Sequence, residues 1–253
     1  MSGFVKRRNP PAPGSIPDAL QPFEAEVRFY REVAPVVGVR TPACFEAEAG
    51  PAGTRLVLED LSTWRQGADP AVAARVLAGL HRRFENDAAG RWPWLRRSGA
   101  GGDLVGQLYD RTWPILAARR DVTARARDQG ERLVGAVPEL ARAGSAAGPL
   151  TLVHGDASVR NMRTASDGTL ALLDWEDVSL APGLTDLAWL LVSSVPPPRW
   201  PDVFAAYGDC AGLDLVLPTA VSQAFLSLAD TPEGSADAKG WIARIEAAGA
   251  RLT

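Results

Sequence analysis

Residues 150–174, "LTLVHGDASVRNMRTASDGTLALLD", interrupt a chain that otherwise reads mostly as helix, and no other stretch restricts the fold as much. "LTLVHGD" is a short apolar run consistent with a buried strand, and "NMRTASDGTLALLD" reads as two strands joined by the turn residues "SDG". A β hairpin set inside a mainly helical region makes the chain α+β.

The flanking segments supply the helices. In "PFEAEVRFYREVAPVV" (22–37) Phe23, Val27, Tyr30 and Val33 recur at helical spacing between Pro22 and Pro35, so a helix is expected there. Before it, the proline-rich "NPPAPGSIP" (9–17) is a loop after a tiny N-terminal strand. Runs around Cys44–Ala47 and Thr54–Leu58 form a hairpin about "EAGPAG". "DPAVAARVLAGLHRRFE" opens on an Asp-Pro start signal and carries Val72, Val76, Leu80 and Phe84 on one face. A long helical stretch follows over 103–143, expected to break at "TWP" (112–114). Helix resumes in "LTDLAWLLVSSV", stops at "PPPRWP", and continues as at least two more helices. The expected division falls near Leu61, giving a small mixed lobe over 1–60 and a large, mainly helical lobe over 61–253.

Composition excludes several function classes. A chain of 253 residues with 46% hydrophobic content can bury a sizeable core. Its net charge of −3 lacks the footprint that phosphate neutralisation by a nucleic-acid binder requires. Cys44 and Cys210 stand alone and far apart, which argues against a disulfide framework or a zinc site and for a reducing, cytoplasmic setting. No apolar window is long enough to span a bilayer, and the N-terminus turns to proline before a signal-type apolar region forms, so neither membrane insertion nor targeting is expected.

Chemistry concentrates in the hairpin. A turn over Ser166–Thr169 sets Asn161 opposite Asp174, and opposed residues in an antiparallel ladder have Cα atoms roughly 4.5–5.5 Å apart. An amide oxygen beside a carboxylate suits Mg²⁺, which takes few protein ligands and completes its shell with water and phosphate oxygens. Asp156 lies one tight loop from Asn161. Such a set fits phosphoryl transfer, where positioning and charge neutralisation supply most of the catalysis. Asp156 would accept or orient the proton of an acceptor hydroxyl, a contribution of about 10²–10⁴ in rate.

"HGDASVRN", then "LLDWED", then "APGLTDLAWLL" resemble the aminoglycoside phosphotransferase and choline kinase-like family, relatives of the protein kinases. That pattern is His-Gly-Asp, four residues, Asn, a short hairpin leading to Asp-Trp or Asp-Phe, and then Asp-Leu-Ala. More loosely, "LVLEDLS" resembles the hinge that meets adenine and "LAGLHRRF" the first long helix of the large lobe, so the likeness runs from about Phe4 to Gly208. It implies a two-lobed protein-kinase-like fold, with ATP and Mg²⁺ used to phosphorylate a hydroxyl of a small molecule such as an aminoglycoside-like antibiotic or natural product. Residue by residue, it makes Asp156 the catalytic base, Asn161 and Asp174 the Mg²⁺ ligands, and the backbone of Glu59, Asp60 and Leu61 the adenine edge. Lys6 becomes the ATP-positioning lysine, Glu26 its partner, and Asp186 a brace for the catalytic loop.

The family has two strands and a phosphate-covering loop ahead of that lysine, whereas five residues precede Lys6. The small lobe is therefore expected to be truncated, with a partner protein as one way to complete it. Two alternatives follow: a kinase of Ser or Thr in a biosynthetic peptide acting with a partner, or a pseudokinase or binding subunit without full ATP binding. His154 is read as scaffolding, His81 as a helix residue without chemistry, and Trp92, Trp94 and Trp175 as packing residues. Arg160 is read as a surface arginine. From Arg199 onward seven acidic side chains face four basic ones, which is compatible with a cationic acceptor.

Overall fold

A computed structural model of the chain describes residues 3–97, 99 and 101–252. Strands β1 (Gly3–Arg8), β2 (Cys44–Gly50) and β3 (Gly53–Glu59) form an antiparallel sheet in the order β1-β3-β2. Gly53, at φ 108, closes the β2–β3 turn where a Cβ would lie 2.1 Å from the Arg8 carbonyl, so only glycine fits. Helices α1 (Ile16–Leu20) and α2 (Pro22–Arg28) cross between β1 and β2. The helix expected over 22–37 changes form partway: Phe29–Val33 is π-helical, with Ala34 N–H bonded to the Phe29 carbonyl, before the chain turns at Pro35. Phe29 stacks flat on Trp175 with centroids 4.1 Å apart, which seats this helix against the end of the central hairpin.

After β4 (Arg65–Gln66), helix α3 (Pro70–Phe84) starts where the Asp69 carboxylate accepts from the N–H groups of Ala71 and Val72. Its buried face runs through Ala73, Leu77, Leu80, His81 and Phe84, while Val72 and Val76 are only half-buried, a rotation from the expected face. A short α4 (Ala88–Arg91) leads to α5 (Gly102–Ala117). This helix continues through Thr112-Trp113-Pro114, and the break expected there falls after Ala117 instead. One missing donor at Pro114 is outweighed by anchoring in the turn before it: Tyr109 donates to the Gly130 carbonyl and Trp113 to Glu131. Then come α6 (Ala124–Glu131) and α7 (Val137–Gly144).

The central insert places β5 (Leu150–Val153), β6 (Met162–Thr164), β7 (Leu170–Leu172) and β8 (Ser179–Pro182). Strand β5 pairs with β8, and β6 lies between β4 and β7. The hairpin loop is one residue shorter than expected. Ala165 N–H bonds the Thr169 carbonyl and Gly168 takes φ 88, leaving the three-residue Ser166–Gly168 loop with glycine at its left-handed position. The register slips accordingly, and Asn161 bonds Leu173 rather than facing Asp174.

Helix α8 (Leu184–Ser194), apolar on nearly all sides, packs against α3, α10 (Leu213–Ala229) and α11 (Ala236–Gly249), with α9 (Trp200–Tyr207) against α3. The architecture is α+β, a small sheet followed by a mainly helical body. Among the described residues, no helix is long and apolar enough to cross a membrane. Cys44 and Cys210 are free thiols.

Candidate active site

The loop after β5 is built around a fully buried carboxylate. Asp186, at the start of α8, accepts from the backbone N–H of His154 (2.8 Å) and Gly155 (2.9 Å) and from His81 Nε2 (3.0 Å). Burial alone would raise its carboxyl; the His81 bond and the backbone donors overcome that and hold it below the ordinary range. Because His81 Nε2 gives its proton to Asp186, Nδ1 is the acceptor for the Tyr207 hydroxyl at 2.9 Å. His81 is thus a buried member of this brace, not a bystander on its helix. Gly155, at φ 87, passes where a Cβ would lie 2.1 Å from the Asp177 carbonyl. Its conformation carries the chain over to Asp156.

His154 ties loop to hairpin. The Asp156 N–H donates to Nδ1 (3.3 Å), so Nε2 carries the hydrogen and donates to the Leu173 carbonyl at 2.8 Å. The scaffolding expectation fits this geometry.

Asp156 is held at both oxygens. Oδ1 accepts from Trp189 Nε1 at 2.5 Å, Oδ2 from Asn161 Nδ2 at 2.8 Å, and the Arg160 guanidinium stands 3.4 Å away. Burial pushes this carboxyl up, but the Trp189 bond and the charge of Arg160 more than reverse it, leaving an ionised group able to accept a proton. Sequence reading missed Trp189. The signal was present, since Asp186 and Trp189 lie three apart on α8 and so share a face.

Asn161 also donates Nδ2 to the Asp156 carbonyl at 3.1 Å. Both of its amide hydrogens are spent on acceptors, which fixes the amide orientation and leaves Oδ1 without a partner among the described residues. Asp174 sits at φ 63, so the chain turns sharply off β7 and brings its carboxylate to Lys6 Nζ at 2.5 Å. Lys6 Nζ also meets Glu26 at 2.7 Å and Glu176 at 3.2 Å. Burial alone would lower the lysine; Glu26 and Asp174 raise it instead. Glu26, with a side chain 3% exposed, is pushed up to about 7 by burial against the pull of Lys6, with Asp174 and Glu176 adding to the rise. Glu26, Asp174 and Glu176 are the acidic group among the described residues able to share a cation. Glu176 was not singled out from sequence.

At the end of β3, the Glu59 carboxylate grips Arg40 through both oxygens (2.7 and 2.6 Å) and accepts from Ala43 N–H. Asp60 accepts from Ser62 N–H at 2.8 Å. These side chains shape the turn itself.

Two clefts meet here. Every residue singled out from sequence as a nucleotide or metal contact lines one of about 570 Å³, together with Tyr30, whose buried hydroxyl has no partner among the described residues. Asp156 lines the second, of about 430 Å³, and Arg160, exposed as expected of a surface arginine, borders both.

A family model described as "Phosphotransferase enzyme family" matches residues 3–219. No curated protein matches the sequence. Among solved structures, the chain is similar to an aminoglycoside phosphotransferase from Streptomyces rimosus in complex with ADP and streptomycin, at 18% identity and a TM-score of 0.55 over 86% of this chain and 85% of that one. A spectinomycin phosphotransferase in complex with ADP and spectinomycin gives 12%, 0.56, 98% and 85%, and the choline kinase of Streptococcus pneumoniae gives 15%, 0.53, 89% and 80%. At these identities the likeness is one of fold, and that fold is the two-lobed kinase-like one.

Proposed function

The chain belongs to the phosphotransferase enzyme family, and on that premise we propose that it transfers the γ-phosphoryl group of ATP to a hydroxyl of a small molecule with the help of Mg²⁺. The observation that carries this reading is the junction of the two clefts, with the Lys6–Glu26–Asp174 cluster on one side and ionised Asp156 on the other.

Lys6, oriented by Glu26, binds nucleotide phosphate. The hinge backbone over Glu59, Asp60 and Leu61 meets the adenine, with the unpartnered Tyr30 hydroxyl available in the same cleft. Asn161 Oδ1 and the Asp174 carboxylate are hard oxygen donors of the kind Mg²⁺ takes, with Glu26 and Glu176 beside Asp174 as further acidic groups and Lys6 and Arg8 as the cations facing them. Mg²⁺ bound there neutralises charge on the phosphates. Asp156 takes the acceptor's hydroxyl proton as its oxygen bonds to the γ-phosphorus and the bond to the β-phosphate bridging oxygen breaks, releasing ADP. The lobes divide at about Leu61, so that the nucleotide is met from both sides of the hinge. ADP and antibiotics in the S. rimosus and spectinomycin enzymes support ATP as donor and an aminoglycoside-like or other hydroxyl-bearing natural product as acceptor. Engagement of Lys6 by both Glu26 and Asp174 favours a catalytic chain over a binding subunit.

Incubation with Mg·ATP and a panel of hydroxyl compounds, followed by ³¹P NMR, tests this. ADP and a new phosphate-ester resonance should appear together and vanish with EDTA. Absence of nucleotide binding, or ATP cleavage that survives EDTA, overturns the reading.

A further inference from the structure

The cleft beside Asp156 has a charge pattern that selects among acceptors. This inference rests on the phosphotransfer reading, which makes that cleft the acceptor side. Its walls are largely apolar, from Val105, Val137, Val216 and Leu226, with hydrogen-bonding groups from Thr185 and Gln223. It holds three guanidinium groups, Arg96, Arg97 and Arg160, against two carboxylates, Asp156 and Asp177. Each carboxylate already faces a guanidinium: Arg160 stands 3.4 Å from Asp156, and Arg96 3.9 Å from Asp177. Arg96 further donates to the Leu20 carbonyl at 2.8 Å. Arg97 is exposed at the cleft and its side chain has no partner among the described residues.

The acidic side chains from Arg199 onward, which made a cationic acceptor attractive in the sequence, do not line this cleft; that segment contributes Val216, Thr219, Ala220, Gln223, Leu226 and Ser227 to it. An acceptor with several ammonium groups would find both cleft carboxylates already faced by guanidinium groups and would meet the Arg97 charge. Such a mismatch rejects a ligand by repulsion as well as by lost pairing.

The geometry points to an acceptor that is a hydroxyl-bearing monocarboxylate with an apolar body, its carboxylate received by Arg97. A single uncommitted guanidinium matches a single negative charge, and its planar fork suits a carboxylate in particular. The apolar walls take the remainder of the molecule.

The test is binding without nucleotide, by calorimetry, of a matched set: para-hydroxymethylbenzoate, its methyl ester, para-aminomethylbenzyl alcohol, and streptomycin as a polycation. The benzoate should bind about tenfold to a hundredfold more tightly than the ester, the span of one charge-assisted hydrogen bond. That margin should shrink with added salt, disappear in Arg97→Gln, and return in part in Arg97→Lys, with thermal melts reporting that the variants fold. Equal binding of benzoate and ester, or tighter binding of the amine or streptomycin, overturns the inference. Phosphorylation of a polycation by the enzyme would also sink it while leaving phosphotransfer intact. Benzoate preference without any ATP cleavage would uphold the anion site and remove the phosphotransfer reading.

Discussion

Replacing Trp189 by phenylalanine isolates one bond to Asp156, the carboxylate proposed as the base. The indole N–H donates to Asp156 Oδ1 at 2.5 Å, and the ring is 8% exposed, beside Trp241 at 6.1 Å. A hydrogen bond to a charged acceptor is worth about 1.5–3 kcal/mol, so its loss lets the carboxylate turn away from the acceptor hydroxyl and costs about tenfold to a hundredfold in kcat. Phenylalanine keeps most of the packed volume, which limits the stability loss to about 1 kcal/mol. Lys6, Glu26 and Asp174 do not touch Trp189, so KM for ATP should stay as in the wild type. Steady-state ATP turnover at saturating acceptor, with a thermal melt alongside, reads both quantities. An unchanged kcat would refute the claim that Trp189 positions the base, and an equal loss in nucleotide affinity would show that the variant disturbs the whole site.

Other perturbations separate the remaining parts. Lys6→Met should raise the KM for ATP at least about tenfold, the worth of a charged hydrogen bond to phosphate, as measured by nucleotide titration. His81→Leu leaves the buried Asp186 carboxylate without a side-chain donor and should destabilise the fold by about 3–5 kcal/mol, readable in urea melts. Asp121, held at about 2 by its bond to Arg119 against the opposing effect of burial, contributes stability above its ordinary value of 3.8 that is lost as pH falls through about 2. Arg119→Ala should therefore lower the melting temperature at pH 7 and flatten the acid limb of stability against pH.

Much of this site was legible because its chemistry is local in sequence. Asp156, Asn161 and Asp174 fall within one strand-loop-hairpin unit, and turn residues fix where that unit bends. The hairpin register was not legible to the residue, since a three-residue and a four-residue loop both accommodate "SDG"; glycine's left-handed φ at 168 selects the shorter. The break expected at Pro114 failed because local propensity yields to the anchoring of Tyr109 and Trp113. His81 and Tyr207 joined the site through tertiary packing that no spacing reveals, since their partner Asp186 lies 105 residues from His81. Lys6 could be placed only against Glu26, on a neighbouring helix, and its third partner Glu176 emerged once the hairpin end was folded against β1.

The central claim is that Asp156 accepts the proton as phosphoryl transfer occurs, and Asp156→Asn tests it with a nearly isosteric change. The acceptor-dependent rate of ADP formation should fall by about 10²–10⁴ while Mg·ATP affinity, which the proposed function assigns to Lys6, Asn161 and Asp174, is retained. Turnover by Asp156→Asn at the wild-type rate would contradict the account.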